Sequence, residues 1–366
     1  MNMTTTFSAF GVKIRLSAAL LAVLLGLAAQ SVTAGELLVI AHRGASGERP
    51  EHTLAAFERA IDQGADYIEP DLVVTSDNIL VVRHENELSD TTDVAAHEEF
   101  ADRRRSKTVD GELVNGWFAE DFTLAELRTL RARERIPGLR PANAHFDGLY
   151  PVPTLAEVLQ LVRAKEAESG RRIGIYPELK HPTFLLEQGF DIVDLLVTAL
   201  RKADLDDADD LVFVQSFEVG PLQRLNRMVE VPLVLLVKPG AGPADEPAMR
   251  YEEMLTPSGL AEIATYADAI GADLRLLLTG DGVPTGTIAA AQGAGLKVHV
   301  WTLRHENAFL PPIVQRGTGE SAPGDLAGLV GIVKAAGVDG VFTDHPAVVV
   351  RAAERWDYPA RRAVTM

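Results

Sequence analysis

The sequence predicts an α/β fold: a (β/α)8 TIM barrel with an insertion after the second strand. Three observations predict it. From residue 37 onward, short β-rich apolar runs alternate with segments of helical spacing. There are eight such runs. Polar residues able to do chemistry collect at the ends of the runs, where barrel enzymes carry their sites. An open doubly wound sheet is the competing architecture, but neither a full dinucleotide fingerprint nor a P-loop is present.

The runs fall at 37–41, 66–71, 173–179, 211–215, 232–237, 267–270, 297–302 and 340–343. Helical spacing covers 53–63, 154–168, 184–202, 219–229, 258–266, 285–294 and 325–336, and a last helix at 346–355 follows the eighth run. Thr154 fits an N-cap, with Glu157 three residues later completing a capping box. Two features interrupt the rhythm. Residues 72–83 read as a hairpin turning about Ser76-Asp77-Asn78, good turn residues. Residues 87–150 are polar and too long for an ordinary connection, so they read as an insertion capping one end of the barrel. The run Arg103-Arg104-Arg105 inside it reads as a solvated face rather than a phosphate site. The stretch KPGAGPADEP, 238–247, is a loop by its Pro and Gly content.

The first thirty-four residues form a separate object. Lys13 and Arg15 precede an apolar run at 16–29, and Val32-Thr33-Ala34 is a small-residue cleavage pattern. That pattern predicts a secretory signal peptide over 1–34, a mature domain over 35–366 and a periplasmic location. The run is shorter than the ~20 residues a membrane span needs. An uncleaved N-terminal anchor is the other reading. The formal net charge is −17, from 35 Lys and Arg against 52 Asp and Glu. Removing Lys13 and Arg15 makes it 33 − 52, or −19. A nucleic-acid partner is not expected, because such a partner needs a basic face. Any anionic substrate must be held by a few local cations. With no cysteine, disulfides, thiolate nucleophiles and Cys–zinc sites are excluded.

The ends of the runs supply His42 and Arg43, Glu69 and Asp71, Glu178 and Lys180, Gln215, Asp273, Trp301, Thr343 and Asp344. Glu69 and Asp71 are two apart on a strand and point to one side. Two carboxylates on one face repel unless a cation sits between them or one takes a proton. With Glu178 as a third, they describe a hard-cation site for Ca²⁺ or Mg²⁺. A salt-bridge network with Arg43 and Lys180 is the alternative. Folding the chain about residues 77 and 78 places His84 opposite Asp71, at the same rim as His42. A histidine near neutral pKa is a natural general acid or base. Arg43 can hold a phosphate with its planar fork and Lys180 acts as a point charge. Together these groups fit phosphoryl transfer.

HRGAS, PEHT, IEPDL, VVRHE, YPELK, VQSF, VHVWT and GVFTDHP occur in that order, from about residue 37 to about 351. The series resembles the glycerophosphodiester phosphodiesterase family, in particular its periplasmic branch. The resemblance implies His42 and His84 as catalytic residues, Arg43 as the phosphate-binding arginine, and Lys180 near the phosphate. It implies Glu69, Asp71 and Glu178 as metal ligands, usually for Ca²⁺, and Trp301 as the aromatic on the glycerol. Glu51 corresponds to an acid often near the metal or a histidine, and Gln215 fits a supporting position. His52 stands where many members have asparagine, Glu85 where aspartate is common, and Ala272 where proline is frequent. The implied reaction converts small glycerophosphodiesters to glycerol 3-phosphate and an alcohol, with water or the glycerol's own 2-hydroxyl as attacker. A lipid substrate and a catalytically inert binding protein are the competing functions. The alcohol preferred and the oligomeric state are not legible in the sequence.

Overall fold

The computed structural model of the chain describes residues 37–356. The signal peptide expected over 1–34 lies outside them. In chain order the strands are β1 (Leu38–His42), β2 (Tyr67–Glu69), β3 (Asp71–Val74), β4 (Leu80–Val82), β5 (Arg105–Val109), β6 (Glu112–Gly116) and β7 (Gly174–Ile175). They continue with β8 (Glu178–Leu179), β9 (Val214–Ser216), β10 (Leu233–Val237), β11 (Ala269–Asp273), β12 (Lys297–Leu303) and β13 (Gly340–Thr343).

Among the described residues the main sheet runs β4-β3-β8-β9-β10-β11-β12-β13-β1-β2-β7. The expected second strand is β2 plus β3, broken at Pro70, and the third is β7 plus β8, broken at Tyr176-Pro177. Proline has no N–H to give a ladder, so strand assignment lapses at each. The chain nevertheless continues between the pieces: the Tyr176 N–H donates to the Ile68 carbonyl, Glu178 to Pro70, and Gln215 to Pro177. Since β2 and β3 are one strand and β7 and β8 another, both ends of this order are the same pair of strands, and the sheet closes on itself. Its ring members pair in parallel, while β4 is antiparallel to β3. This is a TIM-barrel-like α/β fold.

Helices cover the outside, and their ends follow local chemistry. Thr154 and Glu157 form the expected capping box on Leu155–Ser169, which Gly170 closes in the left-handed conformation. The single helix expected over 184–202 is two, Pro182–Glu187 and Ile192–Ala203. Gly189 at φ +92° turns the chain between them, and the Asp191 side chain caps the second by accepting from the Asp194 N–H. The sixth run extends beyond its expected end to Asp273. No helix of the described residues is long and apolar enough to cross a membrane.

Two faces of the barrel strands are filled differently. Outward residues such as Val39, Ala41, Ile68, Val214, Leu235, Ile270 and Val341 join the helices in one large apolar cluster. Residues 87–150 build a second cluster on the β3–β4 hairpin, where Val73 and Val81 meet Leu88, Phe100, Trp117, Phe122 and Leu130. The β5–β6 hairpin projects from this segment, with Arg105 opposite Gly116.

Candidate active site

The site is the top layer of the barrel interior. Ile40, Tyr67, Tyr176, Phe213 and Phe342 pack together inside the barrel. Side chains two apart on a strand share a face. The next inward positions are therefore His42, Glu69, Glu178, Gln215 and Asp344, all buried. His299 packs edge-on against Tyr176 and Phe213, and the same step from it reaches Trp301. One change from apolar to polar residues along the interior columns places the charged layer at the C-terminal rim.

The turn after β1 is unusual. Arg43 takes φ +60° and Gly44 φ +85°. A Cβ at Gly44 would lie 2.6 Å from the Ala56 carbonyl carbon, so only glycine fits there. The turn brings the Arg43 N–H to 2.8 Å from Glu69 Oε2. The Arg43 guanidinium donates to Glu51 at 3.1 Å and lies 3.5 Å from Asp71.

Glu69, Asp71 and Glu178 each offer an oxygen within 4.8 Å of the others. Gln215 donates to Glu69 at 2.9 Å, Lys180 to Glu178 at 2.6 Å, and His52 Nε2 lies 2.8 Å from Asp71. Burial, then the charges of Asp71 and Glu178, push the Glu69 carboxyl well above its ordinary range. Burial opposes charge at Asp71 too, but Lys180 and His52 outweigh it and hold that carboxyl well below. Burial lifts Glu178 to about 8 against the pull of Lys180. Two of the three thus resist ionisation without an added cation. Asp71 Oδ1 and Gln215 Oε1 are buried without a hydrogen-bond partner. Oxygen donors with spare lone pairs match a hard divalent ion, so the cluster could bind a metal. The alternative network is also partly visible, in the Lys180–Glu178 pair.

Each histidine is backed by a carboxylate. His42 Nδ1 lies 2.6 Å from Asp344 Oδ1 and His84 Nδ1 lies 2.5 Å from Glu85 Oε1. Burial, then the neighbouring Arg43 charge, lowers His42 to about 4. His84 is pushed down by desolvation, Arg43 and Lys180, although its side chain keeps 29% exposure on the cavity side. Neutral rings held this way carry their proton on Nδ1, leaving Nε2 as the basic nitrogen. The expected hairpin register is one residue out. Leu72 pairs with Val82 and the Arg83 N–H donates to the Asp71 carbonyl, so Arg83, not His84, faces Asp71. His84 lies one step beyond the ladder, and its ring lines the cavity.

The cavity measures about 840 Å³ and is lined by His42, His84, Glu69, Glu178, Lys180 and Trp301 among others. The Trp301 ring is fixed by its N–H donating to the Gly271 carbonyl at 2.8 Å and lies edge-to-face on Phe217. Of the residues singled out as site candidates, His42, Arg43, Glu69, His84, Glu178, Lys180, Gln215, Asp273 and Trp301 line this cavity. Glu51 and Asp71 join through Arg43, and Asp344 joins through His42, whereas the Thr343 hydroxyl turns away to the Leu303 carbonyl. Sequence reasoning missed the carboxylates behind the histidines as working parts. It also missed Arg135 and Arg140, which hold those carboxylates from residues 87–150. Asp344 stood at a strand end and Glu85 beside a histidine, but no sequence signal marked either arginine.

A closed barrel whose rim joins a cation-ready carboxylate cluster, two histidines, an arginine and a lysine is equipped as a barrel hydrolase for anionic esters. The sequence model of the glycerophosphoryl diester phosphodiesterase family matches residues 42–348. The chain belongs to that family and is a glycerophosphodiester phosphodiesterase by activity. It is 35% identical over 291 residues to a glycerophosphodiester phosphodiesterase of Arabidopsis thaliana, covering 74% of this chain and 75% of the relative. It is 33% identical over 308 residues to that of Treponema pallidum, covering 75% and 82%. Among solved structures, an Oleispira antarctica phosphodiesterase in complex with the product sn-glycerol-3-phosphate shares the fold. Its TM-score is 0.58 at 21% identity, covering 87% of this chain and 96% of that one.

Proposed function

We propose that the chain hydrolyses small glycerophosphodiesters, such as glycerophosphocholine and glycerophosphoethanolamine, to sn-glycerol 3-phosphate and the free alcohol. The observation that carries this is the meeting, in one cavity, of two carboxylate-backed neutral histidines with the Glu69–Asp71–Glu178 cluster. The product bound to the Oleispira antarctica protein supports the same substrate class. Arg43 and Lys180 hold the phosphate oxygens, and Trp301 packs on the glycerol carbons. Glu69, Asp71 and Glu178 hold a divalent cation, Ca²⁺ or Mg²⁺. Such an ion withdraws charge from the phosphoryl group when bound.

The residues then divide the proton work. A water oxygen bonds to phosphorus and the bond from phosphorus to the alcohol oxygen breaks, or the glycerol 2-hydroxyl does so first and a water then opens the resulting cyclic phosphate, breaking its bond from phosphorus to the 2-oxygen. One histidine Nε2 accepts the nucleophile's proton; the other takes a proton from solvent when the anionic phosphate sits beside it and delivers that proton to the departing alcohol. Asp344 and Glu85 hold each ring and stabilise whichever imidazolium forms. Arg43 and Lys180 oppose the charge gathering on the phosphoryl oxygens. Gln215 and Glu51 act one contact away, orienting Glu69 and Arg43.

The test is release of glycerol 3-phosphate from glycerophosphocholine by the purified protein, with Ca²⁺ and then with a chelator. Release that stops with the chelator and returns with Ca²⁺ supports both reaction and metal. No release from any glycerophosphodiester removes the reading. Residues 1–34 act on this reading as a cleaved signal peptide directing export to the periplasm. An exported chain beginning at Gly35 in the periplasmic fraction supports that, and a full-length chain retained inside the cell opposes it.

A further inference from the structure

The two histidine–carboxylate pairs are held by one short stretch of residues 87–150. Arg140 is 8% exposed and sits five residues after Arg135. Its Nη2 donates to Asp344 Oδ2 at 2.6 Å, while Asp344 Oδ1 faces His42 Nδ1. Its Nε donates to Glu306 at 2.5 Å and its Nη1 to the Ser46 carbonyl at 3.1 Å. Arg135 donates to Glu85 at 2.8 and 2.6 Å, while Glu85 faces His84 Nδ1. The same guanidinium donates to Glu51 at 2.9 and 2.7 Å, and Glu51 accepts from Arg43. Between the arginines, the Arg140 N–H donates to the Ile136 carbonyl in a tight turn, so the guanidinia are spaced by backbone rather than by flexible chain.

We propose that Arg135 and Arg140 are a pair of positioning residues through which residues 87–150 set the orientation of both His42 and His84. This rests on the histidine assignment above. The chemistry supports a role beyond packing. Arg135 grips Glu85 by two N–H bonds, which fixes the plane of that carboxylate, while Arg140, itself gripped by Glu306 through two N–H bonds, gives Asp344 one short bond that ties down its second oxygen. The carboxylate plane fixes where the ring's Nδ1–H must point, and that sets the direction of Nε2. Arg135 reaches two active groups at once, His84 through Glu85 and Arg43 through Glu51. Asp344 Oδ2 also accepts from Arg304 Nε at 3.0 Å, so it stays paired when Arg140 is removed, but it loses the shorter of its two guanidinium bonds, the one anchored through Glu306.

The experiment compares R135Q, R140Q and R103Q with the wild-type protein on glycerophosphocholine. Arg103 belongs to the same segment but pairs with Glu126 away from the cavity. R135Q and R140Q should lower kcat by about 10- to 100-fold with KM within about twofold, as supporting contacts behind a reacting group typically do. Millimolar methylguanidinium should restore part of the lost kcat to R135A and R140A, and R103Q should match wild type. Unchanged kcat in folded R135Q, or a loss confined to KM, overturns the inference. If R140Q fails to fold, R135Q decides alone, because the Arg135 side chain is 24% exposed and Glu51 keeps its bond from Arg43 without it. Wild-type protein without turnover would instead overturn the proposed function itself, as would H42A and H84A at wild-type rates. Loss in those two with full turnover in the arginine variants overturns only the inference.

Discussion

The rim of the barrel and the segment 87–150 both reach the same cavity, but they are built on different principles. The rim groups are set by strand geometry: His42, Glu69, Glu178 and Gln215 stand side by side in one layer, each at the top of an interior column whose spacing the backbone ladder dictates. The groups from 87–150 are placed by side-chain pairing. Arg135 and Arg140 reach the site through carboxylates, and the backbone beneath them is turns and short 3₁₀ segments over a separate apolar cluster. The rim carries the carboxylates that repel, with Arg43 and Lys180 among them, and the segment adds arginines that pair with the carboxylates behind the histidines. The lesson is that one side of this site is fixed by hydrogen-bonded backbone and the other by ion pairs, which respond to mutation and pH in different ways.

The largest expected effect breaks the rim. H42A and H84A should each lower kcat on glycerophosphocholine by about 10²- to 10⁴-fold, the usual worth of a positioned acid or base. Melting temperatures near wild type would show that the loss is chemical. Near-normal turnover in both would leave the rim a structural feature only.

Next comes the carboxylate cluster. E69Q should cut activity by about 100-fold or more, as loss of a metal ligand does, yet the metal-free protein should melt at or above the wild-type temperature. The reason is that Glu69 is pushed up by burial and by Asp71 and Glu178, so replacing it relieves repulsion. A metal-free E69Q that is clearly less stable would favour a salt-bridge network over a cation site.

Acid should then separate the barrel interior from the segment. His299 is fully buried, with one ring nitrogen 2.7 Å from the Tyr176 hydroxyl, and burial lowers it to about 4. A histidine whose folded pKa lies below its unfolded value binds protons more readily when unfolded. Its stabilising contribution is whole above the ordinary pKa of 6.5 and is lost as pH falls toward about 4. The loss should approach about 3 kcal/mol, at 1.36 kcal/mol per unit. H299Q should show a flatter fall of melting temperature across that window, and an unchanged slope would sink the assignment.

The smallest effect concerns the segment's anchor. Burial opposes charge on Glu306, but its contacts with His345 and Arg140 prevail and lower it to about 2. Its contribution is present above the ordinary 4.5 and is lost as pH falls toward about 2. E306Q should be less stable than wild type at neutral pH by about 1–2 kcal/mol, in the range for a hydrogen bond to a charged group. That gap should close below pH 4.5, beneath the window in which His299 acts. A gap constant down to pH 2 would mean that the carboxylate charge contributes nothing to holding Arg140.

Much of the rim was legible because strands impose a period of two and barrels expose their C-terminal ends. Glu69 and Asp71 could be assigned to one face from spacing alone, and the ordered motifs marked His42, His84, Glu178 and Lys180. The hairpin register was misjudged by one residue, since the turn residues Ser76-Asp77-Asn78 admit two foldings and only the Val73–Val81 pairing selects one. The helix expected over 184–202 divided at Gly189, where periodicity carries no sign of a left-handed glycine.

The sequence by itself determined the barrel, the inward columns and the residue types at their ends, because these depend on local periodicity and on hydrophobic burial. Only the tertiary structure decided which carboxylate backs which histidine. Asp344 lies 302 residues from His42, and Arg140 lies 204 from Asp344. No local rule encodes such separations. They exist because the closed sheet brings its last strand beside its first, and because buried carboxylates there need cationic partners, to which residues 87–150 contribute Arg135 and Arg140.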